Sequence, residues 1–374
     1  MKATTTRKLL AWHRWCGLIV SLNVALFAVT GVLLIFHEEI DDMLGVLPAA
    51  SGGENKVTLA QAIEIARAGT PGSTALWASR DPEHPHLGYV GIAPAGSTLF
   101  ADSKATAIDL TKAEVVKDLN FEETFSGIVL ALHAQLMMGP PGALLVGVIG
   151  LAFLFSLISG VILYGPMMVR FRFGLLRKDR ALRTLMGDLH KLLGITTFGW
   201  NLVVVSTGVL LSVGSMMLQY YAATELQALA SRHGTGELVT DFSTVDAAVE
   251  RAEATSDQAL QFVALPGSEY ASASHYAIIM HGKQGLSKRM LTLALVDARS
   301  PTQVEHHAFP LYLQALMISE PLHFGDYGGY PLKIVWSLFA LLSLGMALSG
   351  VWITVSQRKQ RAGVIEDALS EATP

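Results

Sequence analysis

Charged residues are absent from four long stretches of the chain, residues 15–36, 143–168, 192–223 and 334–357. At about 1.5 Å of rise per residue, each can cross the roughly 30 Å hydrocarbon core of a bilayer as a helix. The pattern predicts four membrane spans. Between the first and second spans the periodicity changes. Residues 59–68 have the apolar spacing of an amphipathic helix, and 75–79, 87–92 and 107–110 read as short strands. The segment between the third and fourth spans repeats that order, with a helix at 245–254 and strands at 261–265, 276–280 and 290–296. The expected fold is a mainly α membrane protein: a four-helix bundle carrying two α+β domains outside the bilayer.

Composition agrees with that class, because 51% hydrophobic residues in 374 is too apolar for a set of soluble domains. Lys2, Arg7 and Lys8 before the first apolar run, with Pro48-Ala49-Ala50 after it, resemble a signal peptide. The run is too long for one, and Glu38, Glu39, Asp41 and Asp42 intervene, so an uncleaved anchor is expected. The single Cys16 excludes an intramolecular disulfide.

The cations set an orientation. Three short segments, residues 2–14, 170–191 and 358–361, hold 14 of the 27 Lys and Arg residues, and the positive-inside rule assigns such segments to the cytoplasm. Both long connections are then extracytoplasmic, and both termini cytoplasmic. The resulting division is 1–37 (N-terminus and first span), 38–132 (first outer domain), 133–168 (pre-helix and second span), 169–191 (basic loop), 192–223 (third span), 224–322 (second outer domain), 323–357 (fourth span) and 358–374 (tail).

An internal repeat organises these parts. His13 and His190 each precede a Thr-Gly-Val-Leu-Leu sequence by 17 residues, at Thr30 and Thr207. His133 and His323 each precede a Ser-Gly-Val by the same interval, with 27 residues to Gly160 and to Gly350. The chain reads as a tandem duplication of span, outer domain, span. Two copies of the same orientation place matched residues at equal depth.

Four of the twelve histidines occupy those matched positions. An imidazole near hydrocarbon is costly unless it is paired or ligating, and neutral imidazole is the usual axial ligand of a buried b-type haem. His13 and His190 form a candidate pair at the cytoplasmic end. Gly17 and Gly194, four residues on, would leave flat space beside each helix, and Arg14 and Lys191 are cations that haem propionates would seek. The alternative is that these histidines cap helices or lie among headgroups. His133 and His323 form the outer pair. They precede the proline-marked helix starts at Pro140 and Pro331, which places them on a pre-helix or re-entrant element. His37 has Gly214 as its counterpart, so it is either a substitute outer ligand or an interfacial residue. His84, His86, His275, His281, His306 and His307 read as surface residues, with a metal or iron-chelate contact as the alternative. Phe324, Asp326, Tyr327 and Tyr330 beside His323 would line a substrate mouth or form part of an aromatic belt.

The His13-Arg-Trp-Cys-Gly17 opening, Thr30-Gly31, the Phe36-His-Glu-Glu39 exit, the basic loop leading to Leu189-His190-Lys191, and Leu322-His323-Phe-Gly resemble the PepSY-associated transmembrane family of iron-regulated proteins, which includes the FoxB-type siderophore reductases. The resemblance covers essentially the whole chain. It implies a bacterial inner-membrane protein with two periplasmic PepSY-like domains and two b haems in the bundle, ligated by His13, His190, His133 and His323. It also implies one-electron reduction of a ferric siderophore on the periplasmic side. No Gly-rich nucleotide motif is present, so electrons must come from a separate cytoplasmic or quinol donor. Two other classes remain open: a PepSY-domain sensor without cofactor that binds a periplasmic partner, and a transporter. The spans carry no buried acid to couple ions, which argues against the transporter.

Overall fold

The computed structural model describes residues 3–46, 54, 56–82, 84–116, 121–168, 174–232, 236–283, 287–288, 290–325 and 327–371. Arg170, Arg172, Asp326 and the 48–50 segment lie outside the described residues. The chain divides into two compact units: residues 1–37, 126–213 and 322–374 form one, and residues 38–125 and 214–321 the other.

In chain order the helices are α1 (Ala3–Ile35), α2 (His37–Leu44), α3 (Leu59–Gly69), α4 (Phe125–Gln135), α5 (Pro140–Met168), α6 (Leu182–Ser212), α7 (Gly214–Tyr221), α8 (Gln227–Arg232), α9 (Val245–Ala254), α10 (Leu311–Phe324) and α11 (Gly329–Glu371). A five-residue π-helical stretch, Ala222–Leu226, joins α7 to α8. The strands are β1 (Thr74–Arg80), β2 (Leu87–Ala93), β3 (Lys104–Asp109), β4 (Glu114–Val115), β5 (Gln258–Ala264), β6 (His275–Gly282), β7 (Leu291–Asp297) and β8 (Val304–Ala308).

The first unit is a four-helix bundle. Its helices α1, α5, α6 and α11 are each long and apolar enough to cross a membrane, and they pack in the cyclic order α1–α11–α6–α5. Helix ends depart from the charge-free runs. Helix α6 begins at Leu182, ten residues before the run does, because Asp188 and Lys191 pair with each other one turn apart and the helix accommodates them. It stops at Ser212, and the remainder of the third run, Gly214–Tyr221, belongs to the other unit. There Tyr221 and Met217 pack against the sheet, so that segment is apolar for a core and not for lipid.

The second unit corrects the expectation of two separate outer domains. One antiparallel sheet of eight strands runs in the order β4-β3-β2-β1-β5-β6-β7-β8. The seam is β1 against β5, with Trp77 opposite Ala264 and Ala78 opposite Val263. Each half supplies a helix and a four-stranded meander, and pairing β1 with β5 removes the edge each would otherwise leave open. Alternation along the strands sorts the side chains. Val263, Ile278, Met280, Ala294 and Val296 join one core with α3 and α9, whereas Ala264, Ala277, Ile279, Leu293 and Leu295 join another with Tyr221, Phe309, Leu313 and Met317. Strands β6 and β7 are therefore covered on both faces. The remaining edges are short and polar: β4 has two residues, and β8 carries Glu305, His306 and His307.

Asp246 ties the halves together. It is the second residue of α9, yet its carboxylate accepts from the N–H groups of Leu59 and Ala60 at the start of α3, both at 2.9 Å, and from Arg80 on β1 at 2.9 Å. Those two N–H groups would otherwise be unsatisfied at a helix N-terminus, where the dipole also favours an anion. Replacing Asp246 with Ala should lower unfolding stability by about 1–2 kcal/mol, read as a shifted denaturant midpoint of the detergent-solubilised protein. Asp246→Asn should recover part of it.

Candidate functional site

Two pairs of histidine rings lie inside the bundle. His13 on α1 and His190 on α6 have ring centroids 6.4 Å apart with planes at 70°. His133 on α4 and His323 on α10 have centroids 6.2 Å apart with planes at 72°. In each pair, one ring comes from each half of the chain. His13 and Thr30 on α1, and His190 and Thr207 on α6, are separated by the same seventeen residues, about 25 Å along a helix axis. Thr30 and Thr207 hold the second pair, so the two pairs sit near opposite ends of a membrane-length bundle.

Every ring is fixed by the same device. His13 Nδ1 lies 3.0 Å from Ser159 Oγ, and His190 Nδ1 lies 2.9 Å from the Met346 carbonyl and 3.2 Å from Ser349 Oγ. His133 Nδ1 lies 2.8 Å from Thr30 Oγ1, and His323 Nδ1 lies 2.8 Å from the Val204 carbonyl and 3.3 Å from Thr207 Oγ1. Each hydroxyl already donates its proton to a carbonyl one turn back on its own helix: Ser159 to Ser156 at 3.1 Å, Thr30 to Leu26 at 2.8 Å, Ser349 to Met346 at 2.7 Å, Thr207 to Val203 at 2.8 Å. For His190 and His323 a backbone carbonyl, which can only accept, faces Nδ1, so Nδ1 carries the hydrogen there; a hydroxyl committed to its own carbonyl asks the same tautomer of His13 and His133. Nε2 is left with its lone pair and has no hydrogen bond among the described residues.

The residue after each hydroxyl is glycine, and the ring occupies the space a side chain would take. A Cβ on Gly31 would come 3.4 Å from His133 Cε1, on Gly160 3.2 Å from His13, on Gly350 3.1 Å from His190, and on Gly208 2.8 Å from His323. These Ser/Thr-Gly pairs are the same ones that mark the repeat, but a role in holding the imidazoles is not legible from their spacing. Gly17 and Gly194 have a different place. A Cβ on Gly17 meets nothing within 4 Å, and one on Gly194 meets the Met346 sulfur at 3.6 Å.

The other expected site residues are distributed unevenly. Arg14 is exposed and has no ion pair among the described residues, whereas Lys191 lies 3.5 Å from the buried Asp188 carboxylate. Asp188 is also gripped by the Arg177 guanidinium, at 2.8 and 2.7 Å. The cations are thus not equivalent, which corrects their expected symmetry; the cause is Asp188, a residue that sequence reasoning passed over. His37 is exposed, donates to the Leu34 carbonyl at 2.8 Å, and joins neither ring pair. Phe324 packs edge-on to His323 at 6.0 Å, and Phe27 does the same to His133 at 5.4 Å. Tyr327 contacts Trp336, and the Lys333 ammonium lies 5.7 Å from the Tyr330 ring centre. Among the histidines of the sheet unit, His84 lies between Asp81 and Asp42, and His306 bonds Thr255. No cluster of three or more His, Cys, Asp or Glu fit to hold a metal ion occurs among the described residues.

The model of a family described as the PepSY-associated TM region matches residues 10–357. The chain belongs to that family. Among curated proteins, an uncharacterized protein of Pseudomonas aeruginosa is 36% identical over 89 residues, a stretch that covers 24% of this chain and 22% of the relative. This chain therefore matches about a fifth of that relative's length.

The ring geometry of this PepSY-associated protein makes a direct comparison available. Adding Cβ at Gly208 must push His323 out of place, whereas Gly17 stands in open space. Gly208→Ala should destabilise the protein by about 1–3 kcal/mol through overpacking, while Gly17→Ala should be neutral or gain up to about 1 kcal/mol of helix propensity. Thermal unfolding in detergent reads both.

Proposed function

We propose that this protein is an inner-membrane b-type dihaem reductase that passes electrons across the membrane to a ferric siderophore on the periplasmic side. The observation that carries the reading is the pairing of neutral imidazoles with Nδ1 committed to protein and Nε2 unengaged. That is the state of a ligating histidine, whose second nitrogen is conventionally held by a carbonyl or other acceptor. The spacing also fits. With metal–nitrogen bonds of about 2 Å and ring radii of about 1.2 Å, two imidazoles that held one iron between them would have centroids up to about 6.4 Å apart. The observed separations are 6.4 and 6.2 Å.

His13 and His190 would hold one haem and His133 and His323 the other, each group bridging the two halves of the bundle. Bound haem supplies a one-electron Fe(III)/Fe(II) couple where no amino-acid side chain does. The chain contributes position and electrostatics. The Ser/Thr hydroxyls and the carbonyls of Met346 and Val204 fix ring orientation, and the glycines admit the rings close to the helix backbone. Arg14, exposed beside His13 and without an ion pair among the described residues, would serve a propionate at that end; Lys191 shares its charge with Asp188. Phe324 packs beside His323, and Tyr327 against Trp336 and Tyr330 against Lys333 would extend an aromatic rim from it.

The substrate chemistry follows from ion hardness. Oxygen-donor chelators grip Fe(III) far more tightly than Fe(II), so one added electron loosens the metal without destroying the chelator. Basic residues before α1 and ahead of α6 orient the termini and that loop to the cytoplasm, with the sheet unit in the periplasm.

Optical spectra of the purified protein test the reading. His13→Ala or His190→Ala should each remove about half of the Soret absorbance and leave the other haem in place; retention of full absorbance in both variants would refute the pairing. A well-folded, colourless wild type would favour the cofactor-free sensor. The holding groups make a finer prediction. Among the described residues Thr30 is the one partner of His133 Nδ1, while His323 has the Val204 carbonyl as well as Thr207. Thr30→Val should therefore weaken retention of the outer haem by roughly 10-fold, and Thr207→Val by clearly less, as followed by transfer to apomyoglobin.

A further inference from the structure

Lys333 is the last charge before the fourth charge-free run, and it is turned inward: the residue is 7% exposed. It heads a stripe of buried positions on α11, continued by Ser337, Ala340, Ser343, Met346 and Ser349 at intervals of three or four residues. Such a stripe is the face a helix presents to its bundle. The cytoplasmic end of the same stripe holds His190, through the Met346 carbonyl and the Ser349 hydroxyl.

Those contacts fix the depth of Lys333. Helices α6 and α11 run antiparallel, joined where Ser349 meets His190 and again, further outward, where Asn201 bonds Ser343. Thr207, which holds His323, is 17 residues outward of His190, about 25 Å of helix, and Lys333 is 16 residues outward of Ser349, about 24 Å. Lys333 therefore stands at the depth of the outer ring pair. Trp336, three residues on, packs over Gly325, two residues beyond His323. A buried ammonium beside hydrocarbon is costly unless it faces an anion. Its seat one turn into α11 adds to that cost, because the start of a helix favours negative charge. The ring of Tyr330, 5.7 Å from the ammonium and itself exposed, offsets only part of it. Packing within the repeat does not ask for a cation: the matched position in the first half, ten residues after His133, is Ala143.

We propose that Lys333 binds a propionate of the outer haem and, by its charge, raises the reduction potential of that haem. The inference rests on the haem reading above. A haem held by His133 and His323 brings two carboxylates to the depth of Lys333, and a charge-assisted bond to one of them gives the buried ammonium its anion. A fixed positive charge beside the iron favours Fe(II), which carries one positive charge fewer than Fe(III). Because Ala143 stands at the matched position, the effect is confined to one side of one ring pair. The two halves of the repeat thus hold similar imidazoles in different fields.

The test is an optical redox titration of the full-length protein in detergent, without any ferric chelate, so that an anion on a substrate cannot account for the result. In the His13→Ala background, where the outer haem should remain alone, Lys333→Met should shift its Fe(III)/Fe(II) ratio at least tenfold toward Fe(III). That is a midpoint lowered by about 59 mV or more for one electron. Lys333→Arg should restore most of the wild-type value. In the two-haem protein, Lys333→Met should displace one titration wave and leave the other in place. An unmoved potential with haem content retained would assign the ammonium to a carboxylate of the chain and overturn this inference alone. Equal displacement of both waves would overturn it too. A colourless, folded wild type would instead remove the haem reading, and this inference with it.

Discussion

An imidazole set among apolar helices must have its N–H satisfied by protein, and the arrangement of this bundle follows from how that is done. Four times, a Ser or Thr that has already donated its proton to its own helix accepts Nδ1–H from a histidine, and the glycine after it makes room for the ring. Hydrogen bond and close approach act together. A side chain at Gly208 would push His323 off its acceptor, one at Gly160 or Gly350 would crowd its ring, and one at Gly31 would meet His133 at ordinary contact distance. The result is a set of four neutral rings, paired across the two halves, each with one nitrogen fixed and one unengaged.

The sheet unit is joined by a different constraint. Each half forms a meander with an exposed edge, and the β1–β5 pairing together with the Asp246 carboxylate on the start of α3 makes one sheet from two segments far apart in sequence. In the proposed function the division of labour is physical: the bundle fixes the redox groups, and the sheet unit faces the compartment where the ferric chelate arrives. Membership of the PepSY-associated TM region family spans residues 10–357 and so takes in both units.

The spans were legible because a charge inside hydrocarbon is expensive, so a charge-free run of sufficient length has few other uses. Their ends were not. Helix α6 continues outward through Asp188 and Lys191, whose mutual pairing makes charge tolerable, and the apolar residues of α7 serve a sheet core instead of lipid. The strands of the meanders were visible by alternation except for β4 and β8, which are short, polar edges with little burial to enforce a pattern. The β1–β5 seam left no local signal, because strand alternation says which face is buried and nothing about the neighbour. At the site, the four histidines stood out by position. The choice of Gly17 and Gly194 as the space-giving residues rested on one helix face alone, whereas the glycines touching the rings lie on other helices.

The central claim is that each ring pair grips one iron porphyrin. A pyridine haemochrome assay on the purified full-length protein, referred to protein concentration by amino-acid analysis, tests it most directly. Two b-type haems per chain are expected, and a stably folded preparation containing none after expression with haem in excess would contradict the account.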